Sequence, residues 1–247
     1  EDNKLRDKVK VIVGSAAVNA EKARTLVGAD AYASDAAERA GVSLFLDVVA
    51  ETAVAMRNYL DFVIKCTSLP FLIDASSDEV RLAGLETARK HSAMERVVYN
   101  SIGADTTKSE LEVLTKYAPA AIVISAMNPM DYGLNSSVSI VQQMKEALPS
   151  HIHNRFLVDI GFLDEASVKI SANLAQGLRD HLGLPVGGAP CNGIYMWESL
   201  KKRGVKELSA ALSATLGYVS AFGLDFLFVG PLRNVELVAP AVGAADV

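Results

Sequence analysis

Leu69–Asp74 reads LPFLID, and its form decides the fold. Phe71, Leu72 and Ile73 follow Pro70 with no polar break, and Asp74 ends the run. A strand that is apolar on both faces is buried on both faces, as in a parallel sheet covered by helices. Ser76 or Ser77 comes next with Asp78 and Glu79, an N-cap with an acidic first turn. The strand therefore passes directly into a helix. Three other stretches repeat the form: RVVYNS (Arg96–Ser101), RFLVD (Arg155–Asp159) and LPVGGAPCN (Leu184–Asn192). In each the buried-strand pattern ends in Asp or Asn, and a helical pattern follows. In a parallel (βα)8 barrel the C-terminal ends of all strands open on one mouth, which carries the active site. Asp74, Asn100, Asp159 and Asn192 are then expected to converge there from distant parts of the chain.

Working outward, short apolar runs alternate with helical patterns along the chain, the signature of βα units. Strands are predicted at Val9–Gly14, Leu44–Val49, Pro70–Asp74, Val97–Ser101, Ala120–Ser125, Phe156–Asp159, Pro185–Gly188 and Asp225–Val229, the barrel number of eight. Thr107 or Ser109 before Glu110 opens a helix with Leu111, Leu114 and Tyr117 as its apolar stripe. Asp164 before Glu165 opens another. Val54, Leu60 and Val63 fit a helix that closes before Ser68 and Pro70. The polar stretch Met127–Ser137 reads as a loop after a strand end, where barrels carry function. Tyr195, Met196 and Trp197 read as the packed start of a helix.

The chain has 247 residues, 50% of them hydrophobic and 21% charged, with a net charge of −5. That suits one large α/β domain or two small ones, with ample chain for a full core. No block of like charge suggests a nucleic-acid or anionic-membrane surface. No apolar stretch reaches the roughly 18 residues of a membrane span. Glu1–Lys10 has no apolar signal core, and the two unpaired cysteines, Cys66 and Cys191, make a reducing, cytoplasmic setting the expectation. Cys66 and Cys191 match neither a zinc spacing nor a disulfide framework. His151 and His153 read as part of a solvated loop, so no metal site is expected.

Residues 44–247 resemble the H subunit of the tetrahydromethanopterin S-methyltransferase complex and the bacterial methyltetrahydrofolate:corrinoid methyltransferases, and the barrel domain is taken as residues 43–247. The segments that carry the likeness are AMRNYLDFV (Ala55–Val63), LPFLIDASSDEVRLAGLETA (Leu69–Ala88), RVVYNSI (Arg96–Ile102), NPMD (Asn128–Asp131), GLPVGGAPCN (Gly183–Asn192) with Trp197, and DFLFVGPLRNVELVAPAV (Asp225–Val242). Separately, Val11–Ala40 is similar to the last βα stretch of a flavodoxin-like corrinoid-binding domain. Residues 1–42 are thus either a corrinoid-domain-like βα segment or the first βα unit of the barrel. The family's extra first strand with Gly-Gly-Gln-Pro-Gly, and its helix after the last strand, are not found in the sequence. The barrel is then either complete or short of a segment between Ala40 and Leu44.

The resemblance implies methyl transfer between N5 of a reduced pterin and the cobalt of a corrinoid protein. Methyltetrahydrofolate is the first choice of pterin and methyltetrahydromethanopterin the second. The corrinoid is expected on a partner or on a missing domain, because Asp-x-His-x-x-Gly is absent. A homodimer is also expected. The pyrimidine edge of a pterin presents N–H donors that suit carboxylates, and its carbonyl and other nitrogens suit amides. Asp74 and Asp159 would accept from the ring, Asn100 would bond it, and Asn192 would face N5 as the catalytic group. Ser101, Asn128 and Asp131 are further candidates, with Gly187 and Gly188 letting a flat ligand approach the backbone. The plain alternatives are a helix cap for Asp74, an Asx turn for Asn100, a loop cap for Asp159 and a turn beside Gly193 for Asn192. Two rival functions stand beside this one. A pterin condensation would need a basic anion site, for which Arg233 is the chief candidate. A non-catalytic subunit that docks a corrinoid protein is the other.

Overall fold

The computed structural model describes residues 11–16, 32–128 and 130–245. Its strands are β1 (Val11–Ala16), β2 (Ser43–Val49), β3 (Phe71–Asp74), β4 (Val97–Ile102), β5 (Ala121–Ser125), β6 (Phe156–Asp159), β7 (Val186–Gly188) and β8 (Phe226–Pro231). They form one closed barrel in chain order, every pair parallel. This is the (βα)8 TIM-type fold that the sequence predicts. β1 closes it, paired with β2 on one side and β8 on the other. Val9 and Lys10, taken as the start of that strand, lie outside the described residues, as does the middle half, residues 17–31, of the stretch likened to a corrinoid-binding domain.

β1 and β8 run two residues further toward the mouth than the sequence suggests. Ser15, Ala16, Gly230 and Pro231 fall beyond the predicted strands, yet Gly14 pairs with Gly230 and Ser15 with Pro231 across the ladder. Residues 32–39 are helical (α1). α2 (Ala53–Cys66), α3 (Asp78–Lys90), α4 (Lys108–Tyr117), α5 (Leu134–Ala147), α6 (Ser167–Leu182), α7 (Pro190–Met196), α8 (Glu198–Lys201), α9 (Val205–Ser220) and α10 (Val235–Ala244) follow. Helix α10 corrects the expectation of no helix after the last strand. It is apolar almost all round and contains Pro240, so no amphipathic period marks it. Met127–Ser137 is a loop only in its first half, since α5 begins at Leu134. Asp164 does not itself open α6. Its Oδ1 accepts from the Ser167 amide at 2.8 Å, and the helix starts at Ser167. Tyr195 and Met196 end α7 rather than start a helix, and Met196 is 59% exposed.

Local chemistry explains how helices and strands meet. Ser77 Oγ caps α3 by accepting from the Val80 amide at 3.3 Å, with Asp78 and Glu79 in the first turn and Arg89 and Lys90 in the last. Val80, Ala83, Leu85 and Ala88 bury the inner stripe. Gly84 lets α3 lie close on β3, because a Cβ there would sit 2.6 Å from Ile73 Cγ2. At the far end of the barrel Arg96 donates to the carbonyls of Thr67 and Leu69 at 2.6 and 2.8 Å. Arg155 does the same for Ala118 and Pro119 at 2.9 and 3.0 Å. Each arginine ties the loop before its strand to the preceding βα unit.

Alternation then sorts the side chains. Leu46 and Val48, Phe71 and Ile73, Ile122 and Ile124, and Val158 are buried against the helices. The residues between them share the inner face. Val49 pairs with Asp74, Asp74 with Asn100, Asn100 with Val123, Ser125 with Asp159, and Asp159 with Gly187. Asp47, two residues before Val49, lies on the same face. Among the described residues no helix is long and apolar enough to cross a membrane.

Candidate active site

Asp74 and Asn100 end neighbouring strands in register, and the Asn100 amide hydrogen-bonds the Asp74 carboxylate. Beyond Asn100 the ladder slips, because Ile102 and not Ser101 pairs with Ile124. Ser101 is the extra residue of this bulge, a device that re-aims side chains at barrel rims. Asp159 ends β6, and its Oδ1 accepts from the Gly161 amide at 2.8 Å. Gly188 stands beside it. A Cβ there would sit 2.8 Å from Asp159 Oδ1 and 2.9 Å from the Phe162 ring. Gly187 has a packing reason of its own, since its Cβ would fall 2.1 Å from the Phe226 carbonyl oxygen. It lets β7 approach β8.

A fourth member of the cluster escapes a reading based on strand ends. Asp47 lies inside the apolar run of β2, is 3% exposed, and receives the Ser15 hydroxyl on Oδ2 at 2.9 Å. The signal was a lone carboxylate inside LFLDVV, where burial demands a partner or a purpose. Burial pushes the Asp47 carboxyl well above the usual carboxylate range, and the charge of Asp74 adds to the shift. Burial also raises Asp74, against the opposing pull of Arg81 and Asn100. Asp159 is pushed up to about 6 by burial, with the Gly161 amide opposing and Asp74 adding. Cys191, buried in α7 within reach of the charges of Asp47 and Asp159, is driven to about 12 by burial and stays a neutral thiol. Three carboxyls thus crowd one mouth, where their ionisation is held back until a donor arrives.

Arg81 of α3 supports two members from behind. It donates to the carbonyl of Ala75, the residue after Asp74, at 2.6 Å. It also donates to Glu110 at 2.7 Å and to the Tyr99 hydroxyl at 3.1 Å. Tyr99 precedes Asn100 and donates to the same Glu110 oxygen. Glu110 is 1% exposed, and one of its oxygens, Oε1, takes the hydrogen bonds of both Arg81 and Tyr99 in this buried ion pair.

The remaining candidates lie further out. Asn192 is exposed in the first turn of α7, and its Oδ1 lies 3.9 Å from Cys191 Sγ. No hydrogen bond joins it to Asp74, Asn100 or Asp159. Its helix is anchored by Tyr195, whose hydroxyl accepts from Asn234 Nδ2 at 2.6 Å, while Asn234 also reaches the Val229 carbonyl at 2.7 Å. That anchor was not legible in the sequence. Asn128 and Asp131 shape their loop. Asn128 donates to Ser136 Oγ at 2.9 Å and accepts from the Met130 amide at 3.0 Å, and Asp131 accepts from the Gly133 amide at 2.9 Å. Arg233 is exposed beyond β8. All four histidines precede strands, at the end opposite the mouth: His91 before β4, His151 and His153 before β6, His181 before β7. The mouth therefore offers hydrogen-bond acceptors and amides for a polar, planar ligand.

Similarity to known proteins falls in two sets. The family model described as tetrahydromethanopterin S-methyltransferase MtrH subunit matches residues 13–247. The H subunit of tetrahydromethanopterin S-methyltransferase from Methanosarcina acetivorans is 31% identical over 81% of this chain and 68% of its own. The Methanopyrus kandleri protein of the same name is 25% identical over 85% and 72%. Among solved structures, dihydropteroate synthase of Xanthomonas albilineans superposes with a TM-score of 0.65 at 17% identity, covering 96% of this chain and 91% of that one. The Yersinia pestis dihydropteroate synthase has a TM-score of 0.69 at 12% identity, covering 96% and 93%. At such identities the likeness is one of fold.

Proposed function

Because the chain belongs to the tetrahydromethanopterin S-methyltransferase MtrH subunit family, we propose that it moves a methyl group between N5 of a reduced pterin and the cobalt of a corrinoid carried by another subunit. The observation that carries the reading is the match over residues 13–247, joined to a mouth built of Asp74, Asn100 and Asp159. Tetrahydromethanopterin replaces tetrahydrofolate as the pterin, since the curated relatives named above bear that substrate in their names. Those names are of subunits, which supports a partner protein and gives none to the expected homodimer.

In this reading Asp74 and Asp159 accept the pterin's N–H groups, and the Asn100 amide holds Asp74 in place while bonding the ring. Ionisation of both carboxylates is costly before the ligand binds and is repaid when N–H donors arrive, so binding is selective for donor-rich edges. Asn192 offers its amide to N5 as the methyl leaves, a contact that matters in the transition state. Holding the ring against a docked carrier supplies the rest of the rate by orientation. The corrinoid does not fit this chain as a resident cofactor, because no histidine stands at the mouth to ligate its metal. It enters as the second substrate, on its carrier.

The test is direct. The protein is mixed with a Co(I) corrinoid and either methyltetrahydromethanopterin or methyltetrahydrofolate, and the corrinoid spectrum is followed. Methylation from the first donor alone supports the proposal. Methylation from the folate alone reverses the choice of pterin. Binding without methylation by either points to a docking subunit.

A further inference from the structure

Among the buried side-chain nitrogen and oxygen atoms of the described residues, Asp47 Oδ1 is the one with no hydrogen-bond partner. It belongs to a residue 3% exposed, on the inner face of β2, one inward-facing position below Val49, the register partner of Asp74. A buried carboxylate oxygen without a donor costs several times what a satisfied one does. A protonated carboxyl in the same place brings its own hydrogen and can offer it. The surroundings favour the proton. From β1 the Ser15 hydroxyl reaches Oδ2 at 2.9 Å. From β3 comes the like charge of Asp74, and from α7 the neutral thiol of Cys191. No described cation reaches Asp47, and Arg81 is committed to Ala75, Tyr99 and Glu110.

Two carboxyls in one desolvated site do not both ionise at neutral pH. Which of the two keeps the proton follows from their partners. Asp74 has the Asn100 amide and the field of Arg81, both of which favour its anion, whereas Asp47 has a single hydroxyl. We propose that Asp47 is a neutral carboxylic acid in the ligand-free barrel, and that its free oxygen hydrogen-bonds an acceptor atom of the bound heterocycle. The mouth then holds one donor acid among acceptor carboxylates. That combination matches a ring whose edges alternate N–H groups with ring nitrogens and a carbonyl. The ligand half of this proposal rests on the pterin reading above. The proton half does not.

Two measurements test the halves separately. In the free protein labelled with carboxyl-13C aspartate, the resonance lost in Asp47→Asn identifies Asp47. It should stay at its protonated position through pH 7 and titrate above it. Titration below about pH 5, the ordinary aspartate range, overturns the proposal whatever the ligand is. Calorimetry with methyltetrahydromethanopterin between pH 6 and 9 reads the second half. The wild type should lose up to about tenfold in affinity per pH unit once Asp47 ionises. Asp47→Asn keeps a donor of the same size, so it should bind like the wild type at pH 6 and hold that affinity at pH 9. Asp47→Leu should be about tenfold weaker or worse throughout. If Asp47→Asn is as weak as Asp47→Leu, the residue acts as an anion and the proposal is wrong. If the wild type binds no pterin at all, the ligand half falls with the reading it rests on, and the resonance titration still decides the proton.

Discussion

Asp74 and Asn100 are register partners across β3 and β4, and the amide of one holds the carboxylate of the other. The pair favours an ionised acceptor, because the Asn100 amide stabilises the carboxylate of Asp74. The Ala75 carbonyl, gripped by Arg81, fixes the backbone immediately after it.

Asp74→Asn should therefore weaken methyltetrahydromethanopterin binding. An amide in place of the carboxylate turns one acceptor into a donor that meets the ligand's N–H. A charge-assisted bond contributes roughly 1.5 to 3 kcal/mol, so affinity should fall by about one to two orders of magnitude. Calorimetry on the folded variant measures it, and unchanged affinity would remove Asp74 from the site.

The Asp159 carboxyl should make both binding and stability depend on pH. Its folded pKa, about 6, lies above its unfolded value. The group's contribution to stability is thus fully present below the unfolded pKa and lost as pH rises through about 6. Asp159→Asn keeps the bond from Gly161 and removes the charge. The variant should gain on the order of 1 kcal/mol over the wild type at pH 8 and little at pH 4. Urea melts at the two pH values read this difference. If the ligand needs the carboxylate, wild-type affinity should rise with pH up to about 6 and level off above it, up to the onset of Asp47 ionisation. The variant should bind weakly at both pH values.

Asn192→Ala should leave the fold intact and binding nearly so, since the side chain is exposed and hydrogen-bonds none of the carboxyl cluster. Stability should change by less than about 0.5 kcal/mol. The rate of methyl transfer should fall, because a contact made chiefly as the methyl leaves shows in turnover rather than in binding. Equal losses in binding and rate would make Asn192 an ordinary ring ligand.

Breaking the buried pair behind the site should be costly. Arg81→Met leaves Glu110, 1% exposed, without its cation. The expected loss is about 3 to 5 kcal/mol by chemical denaturation. Glu110→Gln should cost less, because the amide oxygen can still accept from Tyr99 and Arg81. Equal losses for the two would mean that the pair's geometry matters more than its charge.

Much of this molecule was legible in the sequence. Apolar runs such as FLID, VVYN and FLVD, each closed by a polar residue and followed by a cap, specify strands buried on both faces that feed helices. Eight apolar runs in all, alternating with helical patterns, specify a barrel, and the mouth positions of Asp74, Asn100 and Asp159 follow from where their runs stop. What the pattern could not carry is what depends on other strands. Asp47 sits within its run, so only the pairing of β2 with β3, which sets Val49 opposite Asp74 and Asp47 one inward-facing position deeper, shows that it lies beneath the strand-end carboxylates. Gly187 reads as room for a ligand until the Phe226 carbonyl is found where its Cβ would be. Helix α10 shows no period because apolar residues stand on its solvent side too, Leu237 and Pro240 being exposed while Val235, Val238, Ala239 and Val242 are buried. Local sequence reports burial and repeat, whereas the protonation and partners of a buried carboxyl are set by atoms a few ångströms away that come from elsewhere in the chain.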